Sequence, residues 1–162
     1  MYCQAMRIAL ILLLVLSCVG ARAAHAYGPQ GRSIGIGVML PEPTAFTLEA
    51  YLSRNTALDF AIGWNTFDER HGYGHIDYLV LPFDLSHGGS VSVPFYLGIG
   101  GWLLDAGDAF GGLRVPFGLA LNLRGAPLQF FGEVSLRILL FAPSPPDRRV
   151  DVDGAVGFRI FF

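Results

Sequence analysis

The sequence predicts an all-β fold, an eight-stranded antiparallel up-and-down barrel preceded by a cleaved leader. Three observations predict it. Eight segments alternate apolar and small or polar residues with period two, the signature of strands whose successive side chains point to opposite faces. Short clusters of turn-forming residues separate them. No segment carries a sustained helical stripe.

One arginine in MYCQAMR precedes an unbroken apolar run, Ile8 to Val19, of signal-peptide length and too short for a comfortable membrane span. Ala24-His25-Ala26 gives a small-x-small cleavage pattern, placing the cut after Ala26, with Ala23 as the alternative. Residues 1–26 are therefore assigned as signal peptide and 27–162 as one barrel domain. Both cysteines, Cys3 and Cys18, fall in the leader, so the mature chain has no disulfide or thiolate metal site.

The strands follow in order. SIGIGVML (33–40) places Ile34, Ile36, Val38 and Leu40 on one face, and PEP is expected to break it. TAFTLEAYLS (44–53) opposes Phe46, Leu48, Ala50 and Leu52 to Thr47, Glu49 and Tyr51. Arg54-Asn55 turns the chain into TALDFAIGWNT (56–66), with Asp59 opposite the Leu58, Phe60, Ile62 and Trp64 face. DERHGYG is read as a polar loop. HIDYLVLPFDL (75–85) is irregular, because Asp77 and Asp84 fall on opposite faces, and a bulge is expected near Pro82. SVSVPFYLGIGGWL (90–103), FGGLRVPFGLALNL (110–123) and PLQFFGEVSLRILLF (127–141) follow. VDVDGAVGFRIFF (150–162) closes the count.

Composition decides which face is outside. Hydrophobic residues make up 52% and charged residues 15%, well below the quarter usual in soluble domains. One face is large and apolar in nearly every strand, while the other holds Gly, Ala, Ser and isolated charges. That inverts the soluble-barrel pattern and suits a membrane barrel whose narrow inside is filled by side chains. The alternative is a secreted, lipocalin-like barrel that binds a small hydrophobic ligand, with the apolar face inward. In the membrane reading Glu49, Asp59, Asp77, Arg114, Glu133, Arg137, Asp153 and Arg159 form a lumenal charge network, joined by Asp151. Trp64, Phe67, Phe83, Phe110, Phe141 and Phe162 are candidates for interfacial girdles. Glycines in Gly35-x-Gly37 and Gly98-x-Gly100-Gly101 read as lumen space, since no helix follows whose amides could hold phosphate.

With the leader, eight alternating strands and a terminal strand ending in Phe162, the mature chain resembles small bacterial outer-membrane β-barrels of the OmpA/OmpX/OmpW-like kind. The resemblance implies an outer-membrane location, a monomer, lipid as surroundings and the outer-membrane assembly machinery as partner. It implies that Val156, Phe158, Ile160 and Phe162 are the assembly signal. Both ends of the barrel domain then face the periplasm, with PEP, DERHGYG, LDAGDA and APSPPDRR on the outer side.

The chemistry of activity is sparse. Asp68, Glu69, His71 and His75 cluster in DERHGYGH, but a His-x-x-x-His spacing in a Gly-rich loop does not bring the rings together. Ser86, His87 and Ser90 sit in one turn without a lipid-enzyme motif. No enzyme activity, cofactor or metal is expected. Without Arg7 and Arg22 the chain carries nine arginines against thirteen acids, which argues against nucleic acid. The expected role is mainly structural, with a lumen filled by paired charges. A narrow channel or lateral path for small apolar compounds, and outer loops that bind a partner, are the alternatives.

Overall fold

A computed structural model of the chain describes residues 28–65, 71–86, 89–105, 107–142 and 149–162. The leader and its cleavage site lie outside the described residues, as do Phe67, Asp68, Glu69 and His87. The strands are β1 (Ile34–Glu42), β2 (Thr44–Ser53), β3 (Thr56–Asn65), β4 (His71–Asp84), β5 (Val91–Ser92), β6 (Pro94–Asp105), β7 (Ala109–Leu123), β8 (Leu128–Phe141) and β9 (Val150–Phe161). β5 and β6 lie in line along β7, so together they make one stave. Every stave pairs antiparallel with two neighbours, and the β7–β8 and β1–β9 ladders close the sheet into an eight-staved barrel. Closure leaves no edge strand among the described residues to pair with another chain.

The strands are strongly staggered. A perpendicular row of partners runs from Gln129 on β8 through Arg159, Gly37, Thr47 and Ala61. It continues through His75, Trp102 and Gly112 and returns to β8 at Leu139, ten residues further along. A stagger that large tilts the staves steeply and leaves a narrow interior that side chains can fill.

The wall has two unlike faces. Ile36, Phe46, Ile62, Ile99, Leu103, Leu140, Val152 and Val156 are among some thirty large apolar side chains that project outward and stay exposed. Inside, Met39, Tyr51, Leu79, Tyr96, Phe131 and Phe161 are buried alongside charged residues. Trp64, Phe83, Phe141 and Phe162 stand exposed near strand ends, and the Phe83 and Phe95 rings stack with centroids 5.2 Å apart. Phe110 differs from this expectation, because it lies by a cavity at one mouth of the barrel.

Three boundaries depart from the sequence reading. Pro41 does not end β1: the β1–β2 ladder stops at Met39, but β1 stays paired with β9 as far as Glu42. Proline's missing N–H matters only where a ladder needs it, and here one side of β1 has already left its partner. β4 begins at His71, so HGYG is strand. Glycines occupy its outward positions where apolar residues usually show the alternation, while Tyr73 and His75 face inward. The stave after Ser90 breaks at Val93, whose N–H donates to Asp84 Oδ1 at 2.9 Å. Ser86 N–H donates to the same oxygen at 2.8 Å. The β4 register slips between Val80 and Phe83, at Pro82.

Candidate functional site

The inward face of the barrel gathers charge around three arginines. All eight residues assigned to the lumen from sequence are buried: Glu49, Asp59, Asp77, Arg114, Glu133, Arg137, Asp153 and Arg159. They do not form one chain of contacts but three centres, each built on an arginine.

Arg159, on β9, has the fullest shell. Its Nη2 donates to Asp59 Oδ1 and Oδ2 at 2.8 and 2.9 Å. Nη1 donates to Glu49 Oε2 and to Gln129 Oε1, both at 3.1 Å. Nε and Nη2 donate to Thr47 Oγ1 at 3.2 and 2.8 Å. The guanidinium also lies over the Phe131 ring, 4.0 Å from its centroid. A planar cation with five donors is the side chain best suited to bind partners on several strands at once.

Arg114, on β7, is clamped between Asp77 on β4 and Glu133 on β8. Arg137, on β8, places Nε 2.7 Å from Asp153 and donates from Nη2 to Asp151 at 2.7 Å. It lies over the Trp102 ring, 5.0 Å from the centroid. Asp151, unlike the others, is at the rim, its side chain 70% exposed.

Glycine makes two of these centres possible. Gly100 on β6 is the partner of both Asp77 and Arg114. A Cβ there would fall 2.1 Å from Asp77 Oδ1, so only a residue without one lets the ion pair cross above β6. Gly37 on β1 occupies the equivalent place between Arg159 and Thr47. Gly101, grouped with these from sequence, instead falls on the outward register between Ile76 and Leu113.

His75 joins the first two centres. Its Nε2 lies 3.8 Å from Asp59 and 3.7 Å from Asp77, and its Nδ1 is hydrogen-bonded with the Tyr73 hydroxyl at 3.1 Å. From sequence His75 begins a strand but is grouped with the DERHGYGH cluster and not with the lumenal charges; β4 turns its ring into the lumen. Thr47, Gln129, Tyr73 and Phe131 were likewise missing from the predicted network. Their signal was parity, since each shares the inward face with a charge on its own strand.

Among the described residues no group of three or more His, Cys, Asp or Glu is arranged to hold a metal ion. Chemically the arrangement is a set of ion pairs that cross-brace the staves: Arg159 ties β9 to β2, β3 and β8, and Arg114 ties β7 to β4 and β8, while Arg114 Nε and Asp77 Oδ1 are left without a hydrogen-bond partner. Comparison with protein-family models, curated proteins and solved structures finds no match, so the reading rests on the barrel itself.

Proposed function

We propose that this chain is an integral outer-membrane β-barrel of the small OmpA/OmpX/OmpW-like kind, with a mainly structural role and a lumen plugged by paired charges. One observation carries the reading: the wall is inverted, with large apolar side chains outward on every stave and the charges inside. Around thirty exposed large apolar residues in water would be a severe aggregation liability. In hydrocarbon they match their surroundings, and a closed barrel satisfies every backbone group internally. Apart from the two-residue β5, the strands run from nine to fifteen residues, long enough to cross a bilayer with tilt.

The charge network supports the plugged lumen over the channel reading. A conducting path needs water and mobile charge, whereas Arg159 and Arg114 occupy the lumen and are held there by fixed partners on nearby staves. In this reading the leader exports the chain and β9 is the assembly signal. Val156, Phe158, Ile160 and Phe162 form its outward apolar row, and the Phe162 N–H still bonds to Ile34 O at 2.8 Å.

The test is gel mobility in SDS of protein taken from a washed outer-membrane fraction, with and without heating. A faster unheated band in that fraction is the expected result. A soluble periplasmic protein without a heat-dependent shift would overturn the reading and favour a lipocalin-like binder.

A further inference from the structure

At the end of the barrel where β6 meets β7 and β8 meets β9, the lumen opens into a cavity of about 160 Å³ above the Arg137 centre. Its floor is Trp102 and Arg137, both buried, with the indole N–H committed to Leu113 O at 3.1 Å. Phe110, Leu139 and Val150 supply apolar wall.

The charges around the cavity are unequally committed. Arg137 is held by Asp151 and Asp153. Asp151 accepts from Arg137 through one oxygen and from the Val152 N–H, at 2.9 Å, through the other. Arg149 also lines the cavity, is exposed, and has no carboxylate partner among the described residues. The uncommitted charge at the cavity is therefore positive. Its volume is close to that of a cavity of about 150 Å³ that accommodates benzene.

We propose that this mouth cavity is a binding site for a small aromatic carboxylate, whose ring packs against Phe110, Leu139 and Val150 and whose carboxylate is bound by Arg149. A planar guanidinium pairs with a carboxylate through two parallel hydrogen bonds, which would set the ligand's orientation. The site depends on the mouth of the barrel and not on what surrounds its outer wall, so it stands or falls separately from the membrane reading.

Benzoate is the probe, titrated into the full mature barrel in detergent micelles and followed by the indole N–H signals in NMR spectra. The chain has two tryptophans. Trp102 reports the cavity, while Trp64, exposed on the outer wall, reports partition into detergent. The expected result is a saturable shift of Trp102 alone, with benzoate about two- to fivefold tighter than benzyl alcohol at low salt. Arg149→Gln should abolish that preference, and Leu139→Trp, which fills the cavity, should abolish the Trp102 shift. Variants are compared where their backbone amide spectra keep the dispersion of the unsubstituted barrel. No saturable Trp102 shift, an equal shift of Trp64, or unchanged benzoate preference in Arg149→Gln would each overturn the proposal.

Discussion

Arg159 and Arg137 have ion pairs of nearly equal length, 2.8 Å to Asp59 and 2.7 Å to Asp151, yet they sit in very different surroundings. Arg159 and its partners are buried, and the guanidinium has four side-chain acceptors besides the Phe131 ring. Arg137 is buried too, but Asp151 stands mostly in the open at the mouth. Distance alone does not rank them. What ranks them is the cost of leaving a charge behind: severe in a closed interior and small at a wet rim.

The largest expected effect follows from that difference. Arg159→Met strands Asp59 and Glu49 without their cation, and should lower unfolding stability in detergent by about 3–5 kcal/mol. A loss below about 1 kcal/mol would mean that water reaches this centre, and the contrast with Arg137 would collapse. Arg114→Met should be about as severe, again about 3–5 kcal/mol, because Asp77 and Glu133 are both buried. The triple variant Arg114→Met, Asp77→Leu, Glu133→Leu should recover most of that loss, since removing all partners leaves no orphaned charge. If the triple variant is no better than the single one, the arginine acts through packing and not through pairing.

Moving from lumen to wall, Ile62→Arg should cost about 2–4 kcal/mol in lipid vesicles if the outer face meets hydrocarbon near mid-bilayer. A neutral result would mean that this face meets water. The smallest effect belongs to the rim. Asp151→Asn should change stability by about 0–1 kcal/mol, with a coupling to Arg137 in a double-mutant cycle that shrinks as salt is raised.

These contrasts also mark what the amino-acid order disclosed. Alternation located eight staves, because period two is a local property of each strand. It also told Arg159 from Phe158 and Ile160, since neighbours on a strand must face opposite ways. It failed at HGYG, where glycine stands in the outward positions and the pattern has no large residue to display it. It could not separate Asp151 from Asp153, which share a face and differ only in depth along the barrel. Nor could it pair Arg159 with Asp59, a hundred residues away, because that contact depends on the stagger accumulated across four staves. The glycines at positions 37 and 100 were legible as space inside the lumen, but their purpose, letting an arginine cross the strand between it and its partner, needed the register.

We propose that the apolar face of the wall meets hydrocarbon while the charges are sealed within. The chain has no cysteine after Cys18, so single cysteines on the outer face can be labelled cleanly. The most direct measurement is electron paramagnetic resonance of spin labels at Ile36, Ile62, Ile99 and Val134, one per variant, in the reconstituted barrel. Collisions with oxygen should exceed those with a water-soluble nickel complex at all four sites, as they do in lipid. Nickel collisions exceeding oxygen at these positions would put the apolar face in water and contradict the account.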